Sequence, residues 1–278
     1  MIIAVLTVLG LCFGSFVNAL VYRLHWQETH PKQSKKQGKI YSIVKGRSIC
    51  PDCKHELAVE DLIPIFSWLS LGGRCRYCKK PVSWQYPLVE TLIAFLFVVS
   101  YLFWPADFAQ AENIITLGVW LICLVGFMGL IVYDLKYLIL PNKIIFPLLG
   151  LAVVNVILRS AMTSSLEPAV SSFWGLMIGG GIFYVLFQVS NGSWIGGGDV
   201  KLGFLIGILI GGPMSALLML FLASFLGTLY SVPLMLAKKV RAKSRIPFGP
   251  FLIISAIVVQ LFGGGVIEWY ERALFFSY

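Results

Sequence analysis

Residues 199–236 read DVKLGFLIGILIGGPMSALLMLFLASFLGTLYSVPLML. The run is apolar almost throughout, yet too long for one membrane helix, which needs about 20 residues to cross the hydrocarbon core. Gly211-Gly212-Pro213 supplies a turn inside it, where proline cannot extend the preceding helix. The stretch is therefore expected to form two spans, a short one over 199–211 and a longer one over 214–236. That division sets the number of crossings, and the number of crossings decides which loops share a side.

Working outward, further apolar runs occupy 2–22, 86–104, 113–133, 142–159, 171–189 and 248–267. The fold class expected is an all-α polytopic membrane protein with about eight transmembrane helices. Composition agrees: 58% of the 278 residues are hydrophobic and 13% charged, about half the charged share of soluble domains. The first run lacks a basic n-region and a clear A-x-A site, so it reads as a retained helix and not a cleaved signal.

Charge then orients the chain. Twelve Lys and Arg lie in 23–85, and five more (Lys238, Lys239, Arg241, Lys243 and Arg245) precede the last span. Eight crossings put both loops on one side with Lys136, Lys143 and Lys201, leaving only Arg159 and Arg272 opposite. The positive-inside rule assigns the basic side to the cytoplasm and the amino terminus to the outside. The same parity places Asp134 and Asp199 together at cytoplasmic span ends. The net charge of +9 suits anionic lipid headgroups. Nucleic acid is not an expected partner, because no aromatic-interleaved basic motif accompanies the charge. Gln27 to Gly46, rich in Lys, Gln and Ser, reads as a mobile linker.

Within the large basic loop stand CPDC and CRYC, presenting Cys50, Cys53, Cys75 and Cys78. Each C-x2-C pair can wrap one face of a tetrahedral ion, and two pairs close the site. Two disulfides or four free thiols are the alternatives, and a reducing cytoplasm speaks against disulfides. One structural zinc per chain is expected, folding a small cytoplasmic domain over 23–85 that is too short to build its own core. Cys12 and Cys123 fall in apolar runs and read as packing residues.

Acids inside or at the edge of spans are few: Glu90, Asp134 and Asp199. Asp134 precedes Leu140-Pro141-Asn142, which should break the chain before the next helix. Asp199 follows Gly196-Gly197-Gly198, where a peptide backbone has room to approach. Two carboxylates brought close share a proton, one acting as base and the other as acid, which suits peptide hydrolysis by water. Equally, Asp134 paired with Lys136 and Asp199 with Lys201 would be plain interfacial caps.

These residues resemble the type IV prepilin peptidases, bifunctional leader peptidases and N-methyltransferases of the bacterial inner membrane. The G-x-G-D motif is Gly196, Gly198 and Asp199, followed by Lys201, and the partner motif runs from Asp134 to Leu140-Pro141-Asn142. Asn142 stands where many relatives have aspartate. Gly14-Ser15-Phe16-Val17-Asn18 with Tyr22-Arg23 is similar to the amino-terminal signature. Ile63-Pro64-Ile65-Phe66-Ser67-Trp68-Leu69 and Gly73-Arg74-Cys75 resemble the family's zinc-loop core, and Tyr86-Pro87-Leu88-Val89-Glu90 matches the segment that follows it.

The resemblance implies that Asp134 and Asp199 form the peptidase pair, supported by Gly196, Gly198 and Lys201. It implies cleavage of a basic leader from a prepilin or pseudopilin, then methylation of the new amino terminus by S-adenosylmethionine. Gly14, Asn18, Arg23 and Glu90 are candidates for the methyl-transfer half. Packing of the Gly14–Asn18 face against another helix, and Glu90 as a partner of Arg23 or a lysine, are the plainer readings. The expected division is 1–104, with the zinc loop and methyl transfer, and 105–278, six helices of peptidase. A peptidase without methyl transfer, an ion-coupled transporter and a zinc-loop scaffold are the rivals. A transporter predicts acids at span centres and paired repeats, and neither occurs. The expected setting is the lipid bilayer of the inner membrane; the sequence sets no oligomeric state.

Overall fold

A computed structural model of the protein describes residues 1–32, 41–43, 46–237 and 246–275. The five basic residues that precede the last span, Lys238, Lys239, Arg241, Lys243 and Arg245, lie outside the described residues. Among the described residues there are no strands, only isolated bridges pairing Ile49 with Glu56 and Arg74 with Pro81. The chain divides into two compact units, Met1–Leu102 and Phe103–Tyr278.

The first unit contains α1 (Ile2–Thr29), a 3-10 turn (Val59–Leu62), α2 (Phe66–Ser70) and α3 (Gln85–Leu102). Helix α1 continues past its apolar run into polar sequence. Gly10 and Gly14 lie one turn apart on it, and a Cβ on either would strike the backbone of Ala94 or Glu90 on α3. The two helices therefore pack backbone against backbone, as small-residue seams allow in membranes. The linker expectation needs correction over residues 41–43 and 46. Tyr41 is buried and stacks on Trp26 with ring centroids 3.5 Å apart. Gln27 donates to the Tyr41 carbonyl at 2.8 Å, and Arg23 donates to the Ile43 and Gly46 carbonyls at 3.0 Å each. Aromatic stacking and buried hydrogen bonds hold these residues against α1 despite their polar neighbourhood. Residues 33–40, 44 and 45 of that stretch lie outside the described residues.

The second unit contains α4 (Ala111–Tyr137), α5 (Asn142–Met162), α6 (Glu167–Gly179), α7 (Gly181–Val189), α8 (Gly197–Ile210), α9 (Pro213–Leu236) and α10 (Gly249–Phe275). Helices α6 and α7 together cover the expected span 171–189. Their break falls at Gly180, where a Cβ would meet the ring of Phe204. The division of 199–236 also falls where expected. Gly211 and Gly212 adopt φ of +68° and +71°, which a side chain would strain.

Among the described residues seven helical segments, with α6 and α7 taken as one, are long and apolar enough to cross a membrane. Helix α8, with 14 residues and a length of about 21 Å, is not one of them. The core of this unit forms around α4, which buries Trp120, Cys123, Leu124, Phe127, Leu130 and Tyr133. Helix α8 is held in place by a glycine seam. Gly203 and Gly207 face Gly175 and Gly179 of α6 so closely that a Cβ on Gly203 or Gly207 would strike a carbonyl group opposite. The two enclosed helices α4 and α8 are the ones that carry Asp134 and Asp199.

Candidate active site and metal centre

Asp134 stands in the last turn of α4. The helix ends because Leu138 turns into the left-handed region, φ 54° and ψ 37°, with its N–H bonded to the Asp134 carbonyl. The chain crosses Leu140 and re-enters helix at Asn142, with Pro141 in extended backbone at the N-cap position. Asp134 is 5% exposed, and its carboxylate accepts the backbone N–H of Gly249 at the start of α10. Asp199 is half-buried in the first turn of α8. Gly196 caps that helix, and its N–H reaches back to the Asp199 carboxylate, as an acid at the third helical position does in a capping box.

Leu140 joins the two halves. A Cβ on Gly198 would lie 3.1 Å from the Leu140 Cβ, and one on Gly249 would lie 3.3 Å from its Cδ2. The same Leu140 therefore touches the neighbour of Asp199 and the residue that holds Asp134. The two carboxylates are near enough to repel one another electrostatically. At Gly196 a Cβ would meet only the Asp199 carboxylate, at 3.2 Å, so the space beside that acid is open. Gly249 was not singled out in the sequence reading. Its signal was available in Pro247-Phe248-Gly249-Pro250, a glycine between prolines at the opening of the last span.

The interfacial-cap reading finds no support here. Among the described residues no ion pair joins Asp134 to Lys136 or Asp199 to Lys201. Lys201 instead donates to Asn142 Oδ1 at 3.0 Å and lies 5.7 Å from the Phe146 ring centroid. It ties the first turn of α8 to the first turn of α5, so Asn142 serves as a neutral acceptor.

In the first unit the four cysteines converge. All four Sγ atoms lie within 4.8 Å of one another, and Cys50 and Cys78 approach to 3.9 Å. A tetrahedral ion with metal–sulfur bonds of about 2.3 Å sets its sulfurs about 3.8 Å apart, so the set fits a four-thiolate metal site. The two knuckles are built alike. The Cys50 and Cys75 N–H groups bond to the carbonyls of His55 and Lys80, each at 2.9 Å. Lys54 and Lys79 both take φ of +59° to close the turns. Burial pushes the Cys75 thiol up, but N–H groups of Cys78 and Tyr77 and the thiols of Cys50 and Cys78 outweigh it, bringing it down to about 7. Cys123 is fully buried as a packing residue, whereas Cys12 is exposed on α1.

The four methyl-transfer candidates have structural work. Gly14 is closed over by Glu90 of α3. Asn18 donates to the Gly14 and Tyr86 carbonyls at 3.3 Å and accepts from Gln85 at 3.0 Å. Arg23 holds Ile43 and Gly46 as described. Glu90 does not pair with Arg23; it accepts the Ile65 N–H at 2.7 Å and the Ser15 hydroxyl. Ile65 takes φ 63° and ψ −52°, and Phe66 N–H bonds to the Pro64 carbonyl at 2.6 Å. That is a γ-turn, strained for a β-branched residue by about 1–3 kcal/mol. These hydrogen bonds engage the Asn18, Arg23 and Glu90 side chains within the first unit.

The fold and this site define a polytopic helical membrane protein with paired carboxylates at the ends of two enclosed helices and a four-cysteine loop. Residues 8–104 match the bacterial peptidase A24 N-terminal domain, and residues 119–232 match the type IV leader peptidase family. The chain belongs to the type IV leader peptidase family. It is 30% identical to a prepilin leader peptidase/N-methyltransferase of Stutzerimonas stutzeri, covering 95% of this chain and 91% of that protein. It is likewise 30% identical to the enzyme of the same name from Aeromonas hydrophila, over 94% and 91%. The type 4 prepilin-like proteins leader peptide-processing enzyme of an Escherichia coli O78:H11 strain is 32% identical, over 97% and 94%. No solved structure matches the chain.

Proposed function

We propose that this protein is a membrane-embedded aspartyl peptidase that removes the leader of type IV prepilins and N-methylates the new amino terminus. The observation that carries the peptidase half is the convergence of Asp134 and Asp199 around Leu140, with neither acid paired to a lysine among the described residues. Two adjacent carboxylates hold one proton between them. The ionised member takes a proton from water as it attacks the scissile carbonyl, and the protonated member donates to the carbonyl oxygen. Gly196 leaves room for extended backbone beside Asp199, and the Gly249 N–H fixes Asp134. A groove of about 370 Å³ lined by Ser224, Gly227, Thr228, Ser231, Phe248 and Phe251 begins one residue from Gly249, offering an approach for an apolar pilin segment.

The orientation is part of the same reading. With the amino terminus outside and the basic loops in the cytoplasm, the scissile bond is cut at the cytoplasmic face of the inner membrane, where a basic leader remains. Cys50, Cys53, Cys75 and Cys78 hold a structural zinc with no open position. The methyl donor is S-adenosylmethionine, with Gly14, Asn18, Arg23 and Glu90 as candidates for the methyl-transfer half. The amino-terminal unit is the methyl-transfer part and the second unit the peptidase.

The test incubates purified protein with a prepilin and labelled S-adenosylmethionine, scoring leader loss and label incorporation separately. Both are expected from the wild type. Cleavage by Asp199→Asn at the wild-type rate would sink the dyad. Cleavage with no incorporated label would reduce the chain to a peptidase.

A further inference from the structure

Residues 62–73, LIPIFSWLSLGG, carry no charge, although they sit in the most basic loop of the chain. The structure leaves their large side chains uncovered. Phe66 is 69% exposed, Leu69 60%, and Trp84, next to the start of α3, 72%. Phe66 and Leu69 are three positions apart on α2 and so share a face. Trp68 and Trp84 lie side by side, ring centroids 4.1 Å apart, with the Trp68 indole N–H bonded to the Val82 carbonyl at 3.1 Å.

Depth comes from the hydrogen bonds. Helix α3 has 18 residues, about 27 Å, slightly short of a hydrocarbon core of about 30 Å, so it needs its whole length to cross. Its first turn therefore lies at the membrane boundary. Asn18 of α1 meets Gln85 and Tyr86 at that level. Ser15 and Glu90 meet further in, about one helical turn below it. Glu90 accepts the Ile65 N–H at 2.7 Å, so the corner at Ile65 is drawn below the boundary, not held above it in water. Backbone polarity at that depth is satisfied by the hydrogen bonds of Ile65, Phe66, Ser67 and Leu69, as lipid contact demands.

We infer that the Leu62–Gly73 corner is an interfacial anchor, with Phe66, Leu69 and Trp84 immersed in the acyl–headgroup region of the leaflet where α1 and α3 emerge. The occupant of this apolar face is lipid. A tryptophan pair beside an apolar helical face is the composition of that zone, and the loop's basic residues complement its anionic headgroups. The strained Ile65 turn and its Glu90 tether are then the device that bends the loop back into the membrane.

The full-length protein in nanodiscs of phosphatidylglycerol and phosphatidylcholine tests this. Trifluoromethylphenylalanine is placed at Phe66 in one sample and at Arg47 in another; Arg47 is exposed on the first knuckle. Fluorine relaxation is measured with 5-doxyl phosphatidylcholine and with an aqueous gadolinium chelate. The Phe66 probe should relax about threefold or more faster with the doxyl lipid and little with gadolinium, and the Arg47 probe should show the reverse. The inference fails if the Phe66 probe follows Arg47. It also fails if Phe66 is shielded from gadolinium only when a prepilin is added, which would make the face a substrate surface.

Discussion

Gly249 has no side chain in the space that Asp134 requires: a Cβ there would sit 2.8 Å from the Asp134 Oδ2. Gly249→Ala should therefore displace the carboxylate or remove its N–H donor, cutting leader cleavage by about tenfold or more while the folded yield stays normal. Asp134→Asn and Asp199→Asn should each lower the cleavage rate by about 10²–10⁴-fold, the usual worth of a positioned acid or base. Both should still methylate a peptide that begins at the mature amino terminus, a separation that a general folding defect would not give. Asp134 and Asp199 were readable as candidates because acids are scarce in an apolar chain. Their choice between a dyad and two caps was not readable. Spacing offered each a lysine two positions on, and only coordinates show Lys201 reaching away to Asn142.

At the scale of elements, the seam between α6 and α8 decides where the G-x-G-D helix sits. Gly207→Ala would drive its Cβ into the Gly175 carbonyl, and backbone cannot yield as a flexible side chain does. A loss of about 1–3 kcal/mol is expected, read as earlier unfolding in detergent titrations, with cleavage falling in parallel. In the four-cysteine loop, the Cys75 thiol is brought from 9.0 down to about 7. The Lys80 N–H pulls the Cys78 thiol down, but burial and the thiols of Cys75 and Cys53 outweigh it and hold that thiol above its ordinary value. Because the metal takes thiolates, zinc affinity should still be rising as the pH passes 7. It should fall more steeply below 7, where Cys75 also gains a proton, by about tenfold per unit for each thiol that must lose one. Competition with a chromophoric chelator on the intact protein measures it, and a flat profile would contradict the assignment. The C-x2-C spacing announced this site because a knuckle is a local structure. The Glu90–Ile65 tether, spanning 25 positions, left no periodic trace.

For the whole molecule, the count of crossings rests on α8, which is too short to span an unthinned bilayer alone. If α8 crosses, both termini face outward. Alkaline phosphatase fused after Tyr278 should then be active and a fluorescent protein dark; the opposite pattern would mean seven crossings. The sequence by itself determined that the chain is helical, lies in a membrane, gathers its positive charge in a few loops and carries two cysteine knuckles. Hydropathy, positive charge and short ligand spacings are each written locally, residue by residue, and need no knowledge of what packs on what. Only the tertiary structure decided that Leu140 and Gly249 lie against both aspartate neighbourhoods, that Lys201 serves Asn142, and that Asn18 and Arg23 bond to backbone carbonyls. Those outcomes depend on which helix faces cross. A glycine seam or a single backbone N–H sets that crossing between residues far apart in the chain, where hydropathy carries no information.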